Sequence, residues 1–152
     1  MSITYISAAL RRLVILRADN LCEYCLLHED DTFFGCEVDH IISEKHAGQT
    51  IEANLAYACF VCNRNKGSDI GSMIPGSGTL VRFYDPRGDR WHEHFRLDNS
   101  DGITIIPVSD SGEATARIFG FNKEERLLER QALQAIGHYP ISAARRHIKG
   151  AT

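Results

Sequence analysis

Apolar residues at Ile6, Leu10, Leu13 and Val14 recur at helical spacing, with Arg11, Arg12 and Arg17 falling among them, so an amphipathic helix is predicted over 5–19. The pattern then shortens. "DTFFGCEVDHII" (31–42) predicts two short strands meeting near Gly35 as a hairpin. "SEKHAGQT" is a loop turning at Gly48, and "IEANLAYACFVCNRNKG" is predicted to be helical in part, closing on Gly67. "SDIGSMIPGSGT" (68–79), rich in Gly and Ser, predicts a linker or a laid-down loop. Beyond it, "LVRFY", "HEHFRL", "GITIIPV" and "ATARIFGF" read as short strands separated by "DPRGDR", "DNSDG" and "SDSGE". Asn122 with Glu125 three residues on has the form of a capping box, so a helix is predicted over about 123–136, ending at Gly137. "ISAARRHIKG" adds a last basic helical turn or two. The pattern is that of an α+β protein. Residues 1–67 hold a helix and a small core, 68–79 connect, and 80–152 form a β-rich extension closed by a helix and packed on that core.

Charge and composition narrow the functions open to such a chain. The net charge of −3 rules out a wholesale basic coat, so any polyanion has to be held by a local patch. No run of 18 apolar residues occurs, so no membrane span is expected. The first 20 residues carry arginines inside their apolar stretch and lack a small-residue cleavage site. They read as a helix and not as a leader, and the cytoplasm is the expected compartment, with a monomer as the default state.

Four of the five cysteines form two CxxC pairs, Cys22/Cys25 in "CEYC" and Cys59/Cys62 in "CFVC", with 33 residues between them. A redox CxxC comes singly, at a helix start. Two pairs instead supply four thiolates, the ligand set of a closed tetrahedral zinc site. The apolar residues of the intervening segment (Phe33, Phe34, Val38, Ile41, Ile42, Leu55) are too few to order it alone. A structural Zn²⁺ contributing on the order of 10 kcal/mol of apparent binding energy meets that need. Cys36 has no partner pair and reads as a small buried hydrophobe.

In "EVDHII" an acid and an imidazole, Asp39 and His40, interrupt an apolar strand. Near them in sequence, between and after the CxxC pairs, stand Asn54, Asn63, Arg64, Asn65 and Lys66. A carboxylate and a carboxamide oxygen are hard ligands suited to a hydrated Mg²⁺. An imidazole can take a proton from water near neutral pH. Arg64 and Lys66 offer charge to a phosphate backbone. Strand alternation opposes this reading, because neighbouring residues face opposite sides. Asp39 and His40 can share a site only at a strand end or a bulge. Otherwise His40 is a buried, hydrogen-bonded residue and Asp39 lies on the surface.

The pattern "CEYC…EVDHII…N…CFVCNRNKG" resembles the HNH endonuclease family, with His40 standing 14 positions before Asn54 and Asn54 standing 9 before Asn63. The resemblance covers residues 22–67, and "ISEKHAG", "NRNKGSDI" and "FYDPRGDRWHEHF" are similar to a bacterial subgroup. It implies a zinc-stapled ββα-metal core and hydrolysis of DNA phosphodiester bonds. His40 is then the general base and Asp39 the metal ligand beside it. Asn63 is the second protein ligand of the same ion, Mg²⁺ or another divalent ion such as Mn²⁺ or Ni²⁺. Asn54 ties the loop to the hairpin and helps position His40. Cys22, Cys25, Cys59 and Cys62 hold the zinc. Three positions depart from the family pattern: Ser43 stands for Pro, Ala47 for Gly, and Asn65 where some members carry His. Asn65 is therefore the fallback for Asn63.

Lys45, His46, Arg64 and Lys66 are the candidate substrate-binding residues around this site. His92 and His94 beside Trp91 suggest at most a second metal site, and Trp91 itself reads as core of the extension rather than a base-stacking platform. Arg145, Arg146, His147 and Lys149 form a basic tail, either solvated or touching nucleic acid. The competing functions are a zinc-containing nucleic-acid-binding module that does not cut, and an inactive relative acting through protein contacts. The Asp39-His40 pair favours the enzyme, since binding alone does not need it.

Overall fold

The computed structural model describes residues 4–150. Helix α1 (Ala8–Arg17) starts where the Ser7 hydroxyl accepts the Leu10 N–H at 3.1 Å. Val14 is its one fully buried side chain, while Leu13 and Leu16 stay exposed, so the apolar stripe is narrower than the spacing suggests.

Strand β1 (Cys36–His40) pairs antiparallel with β2 (Leu55–Cys59), from Cys36 opposite Cys59 to His40 opposite Leu55. The hairpin expected inside 31–42 is therefore replaced by one that closes through residues 41–54. "DTFF" is no strand: its Asp31 ends a short turn of helix (Glu29–Asp31), and Phe33 and Phe34 are 91% and 66% exposed. The stretch 51–67 is helical in part, as expected, but the helix begins only at Phe60, and β2 precedes it. β2 is buried along its whole length, so its sequence lacks the alternation that marks a half-exposed strand. Leu55 and Tyr57 pack toward α1, and Ala56 and Ala58 toward the larger core. Helix α2 (Phe60–Lys66) follows at once, capped by the Cys59 sulfur and closed at Gly67.

The segment 68–79, expected as a linker or laid-down loop, contains a strand and a turn. It supplies strand β3 (Gly71–Ile74), paired with β4 (Thr79–Arg82) across a turn in which Gly76 and Gly78 take left-handed φ of 82° and 69°. Gly71 is needed for close pairing, because a Cβ there would lie 2.3 Å from the Val81 carbonyl oxygen. A third ribbon joins β5 (Phe95–Leu97) to β6 (Ile105–Pro107).

"ATARIFGF", expected as a strand, belongs to helix α3 (Asp110–Phe119). Ser109 caps it by accepting the Gly112 N–H at 3.0 Å, and Gly120 ends it in the left-handed region. Helix α4 (Glu124–Ala135) occupies the predicted place, but the capping box is absent. The Asn122 side chain instead clasps Ile105, accepting its N–H at 3.0 Å and donating to its carbonyl at 2.7 Å. A short helix α5 (Arg145–Lys149) carries the basic tail.

The described architecture is α+β, with three two-stranded ribbons and five α-helices among the described residues. One hydrophobic cluster runs from the first CxxC knuckle (Leu21, Tyr24, Leu26, Leu27) through Trp91, Phe95 and Phe119 to Tyr139. Trp91 is buried, as expected, and donates its indole N–H to the Tyr24 carbonyl at 2.8 Å. The extension thus supplies the apolar surface that residues 22–67 lack. Among the described residues no helix is long and apolar enough to cross a membrane.

Candidate active site and metal centre

Each CxxC turn curls back on itself. The first is held by the Cys22 N–H on the Leu27 carbonyl (2.7 Å) and the Leu26 N–H on the Cys22 carbonyl (2.9 Å). The second is the first turn of α2. Together they bury Cys22, Cys25, Cys59 and Cys62 with all four sulfurs within 4.8 Å of one another, and Cys25 and Cys59 3.7 Å apart. A tetrahedral zinc with bonds of about 2.3 Å sets its sulfurs about 3.8 Å apart, so the cluster has the size zinc requires. Burial pushes the Cys22 and Cys62 thiols well up, while hydrogen bonds from the other cysteines hold Cys59 well down. This is the only such group of metal-ligating side chains among the described residues. His92 and His94 belong to no other such group among the described residues. Cys36 is half-buried against both hydrophobic clusters and stands outside the cluster of four.

Arg126 of α4 was not singled out by sequence. It is 4% exposed, and its Nη2 lies 3.1 Å from the Cys25 sulfur and 3.5 Å from the Cys59 sulfur. Four thiolates around one Zn²⁺ carry a net double negative charge, and a buried guanidinium offsets part of it. The sequence holds only a weak signal for this: an arginine on the apolar side of an otherwise amphipathic helix.

Asp39, His40 and Asn63 line one cleft of about 910 Å³, with Glu37, Lys45 and Arg11 among its other walls. β1 ends at His40 and its register is unbroken to that point, so no bulge is needed. Among the described residues β1 has one strand beside it, and the successive residues Glu37, Val38, Asp39 and His40, which alternate between its two faces, all line the cleft. Glu37 and Asp39 meet α2 on one face. Asn63 Nδ2 donates to Glu37 Oε2 at 3.3 Å, and Lys66 Nζ lies 3.5 Å from Asp39 Oδ2. On the other side, the His40 ring is fixed by Nε2 at 2.9 Å from the Thr50 hydroxyl. Its Nδ1 has no hydrogen-bond partner among the described residues.

The loop after β1 is held by Asn54. Its Oδ1 accepts the Ile42 N–H, and its Nδ2 donates to the Ile42 and Gln49 carbonyls, all at 2.9 Å. Gly48 is required here, since a Cβ would lie 1.7 Å from the Ile42 oxygen. Ala47 keeps the left-handed conformation (φ 68°) although it is not glycine.

The candidate ion ligands pass a test of donor chemistry. Asn63 spends its Nδ2 on Glu37, which leaves Oδ1, the ligand-type atom, without a protein donor among the described residues. Asp39 and Glu37 add two carboxylates to the same cleft. Burial raises the Asp39 carboxyl above its ordinary range, against the pull of Lys66. A divalent cation would relieve that cost. Asn65 points elsewhere, donating to the Phe119 carbonyl at 2.7 Å, and so ties α2 to α3.

The expected substrate-binding residues divide. Lys45 lines the cleft and is exposed. His46 is exposed but outside the cleft wall, and Arg64 is exposed, its guanidinium 5.6 Å from the Phe60 ring centre. Lys66 is a correction. It is 2% exposed, and its ammonium is spent on the His40 carbonyl (2.9 Å) and Asp39, so it braces the site from inside instead of greeting a phosphate. Glu37 and Thr50 were missed. Thr50 is 10 residues from His40 across a loop whose shape is not legible in sequence.

Residues 22–69 match the HNH endonuclease family. The match takes in all four clustered cysteines, Asp39, His40, Asn54 and Asn63. No curated protein matches the chain. An HNH domain supports nuclease-type activity or nucleic-acid binding.

Proposed function

With an HNH domain at residues 22–69 as the premise, we propose that this protein is a metal-dependent endonuclease hydrolysing DNA phosphodiester bonds. The observation that carries the reading is the meeting of Asp39, His40 and Asn63 on one cleft, with His40 held through a single ring nitrogen. Thr50 fixes the imidazole plane, and the other nitrogen takes the proton of the attacking water. Asp39 and Asn63 would hold one Mg²⁺-type ion, which supplies positive charge to the pentacovalent phosphate and the leaving 3′-oxygen. Lys66 keeps Asp39 and the end of β1 in register with α2. Lys45, at the cleft wall, draws the phosphate in. Cys22, Cys25, Cys59 and Cys62 hold a structural zinc that fixes α2, and with it Asn63.

A module that binds nucleic acid without cutting has no use for a histidine fixed with one nitrogen free. Supercoiled plasmid incubated with the zinc-loaded protein tests the choice. Nicked or linear DNA should form with Mg²⁺, Mn²⁺ or Ni²⁺ and not without an added ion. Plasmid that is retarded in a gel yet stays supercoiled under every ion would return the reading to a binding module.

A further inference from the structure

Eight buried side-chain nitrogen or oxygen atoms lack a hydrogen-bond partner among the described residues. Four of them, Arg17 Nε, Arg87 Nε and Nη1, and His92 Nε2, belong to residues lining one cavity of about 260 Å³, separate from the cleft. Arg90 and Arg146 complete its basic wall. Two carboxylates also line it, but both are committed. Glu23 pairs with Arg87 and accepts the Tyr57 N–H at 2.8 Å, and Asp89 is held by both Arg82 guanidinium nitrogens at 2.8 Å. Arg90 is exposed and has no partner among the described residues. Arg146 pairs with Asp19, and Arg17 Nη2 donates to the Glu52 and Leu55 carbonyls, but with Asp89 answered by Arg82 the four guanidinium groups still outnumber Glu23 and Asp19, which leaves the cavity positive. The three guanidinium nitrogens among the unpartnered atoms, Arg17 Nε and Arg87 Nε and Nη1, are donors that call for an acceptor. Water would accept hydrogen bonds but leave the charge uncompensated, whereas a tetrahedral oxyanion answers both, and guanidinium forks fit its geometry.

We propose that this cavity, built by "DPRGDRWH" together with Arg17 and Arg146, is a binding site for a phosphate-type oxyanion. Two sources share that chemistry: a backbone phosphate of bound nucleic acid and free inorganic phosphate. Catalysis at His40 is not required for it, so failure of the plasmid assay would leave it standing.

Trp91 is the chain's single tryptophan and lines the cavity, so its fluorescence reports on the site directly. Inorganic phosphate is titrated into the zinc-loaded full chain at constant ionic strength, with chloride as control and calorimetry as a second readout. Saturable binding is expected with phosphate alone. Arg90→Gln, an exposed and unpaired position, should melt like the parent and bind phosphate about tenfold more weakly, the loss of one charge-assisted hydrogen bond. Anisotropy of a labelled duplex, with no catalytic ion added, separates the sources. If phosphate competes with the duplex and Arg90→Gln weakens duplex binding, the site holds a backbone phosphate. If phosphate binds but duplex affinity is unchanged, it holds the free ion. No saturable phosphate response by either readout, or equal phosphate affinity in parent and Arg90→Gln, overturns the proposal.

Discussion

Ala47 shows what a single residue can carry against its own preference. It sits at φ 68° in the loop that Asn54 and Gly48 lock. A residue with a Cβ pays about 1 kcal/mol there relative to glycine. Ala47→Gly should therefore stabilise the zinc-loaded protein by roughly 0.5–1 kcal/mol, raising Tm by a few degrees. A thermal melt showing a lower Tm would contradict the loop geometry. Asp39 and His40 were legible as residues out of place in an apolar strand. Their convergence, at a strand end, came from the family resemblance and not from the strand pattern, because alternation argues against it. Lys66 was misread for a similar reason: a lysine next to a glycine at a helix end looks solvated, and only the fold shows that the His40 carbonyl and Asp39 take up its ammonium.

Among elements, the CxxC turns, α1, α4 and the strands β1, β4, β5 and β6 came out of the sequence, although the capping box read for α4 is absent. β2 and α3 did not, because a short apolar run fits either period when both sides are buried. The link between α4 and the sulfur cluster gives a test at this scale. Arg126→Gln removes the buried positive charge beside Cys25 and Cys59 while keeping a polar side chain. Zinc should then pass to a competing chelator several-fold faster than from the parent, by roughly the 1–3 kcal/mol of a charged hydrogen bond if dissociation feels all of it. Equal release rates would mean that Arg126 serves packing alone. Arg126→Lys should recover part of the difference.

At the scale of the molecule, the core is shared. Trp91 of the extension is bonded to Tyr24 inside the first CxxC knuckle, and one hydrophobic cluster joins them. Sequence patterning separated a metal-stapled core from an extension, since nothing in a linear pattern shows which apolar faces meet. Removing zinc should therefore disturb Trp91, well outside the CxxC pairs in sequence: its emission should shift to the red as chelator is added, in step with loss of helical circular dichroism. A Trp91 spectrum unchanged in zinc-free protein would show the extension to be independent of the metal. The central claim, that Asp39, His40 and Asn63 form one hydrolytic site, is tested most directly by comparing His40→Ala with the parent on plasmid at saturating divalent ion, with ion affinity measured on both. The account predicts a cleavage rate lower by about 10²–10⁴ with ion binding retained, the loss of a general base. Plasmid cut by His40→Ala as fast as by the parent would contradict it.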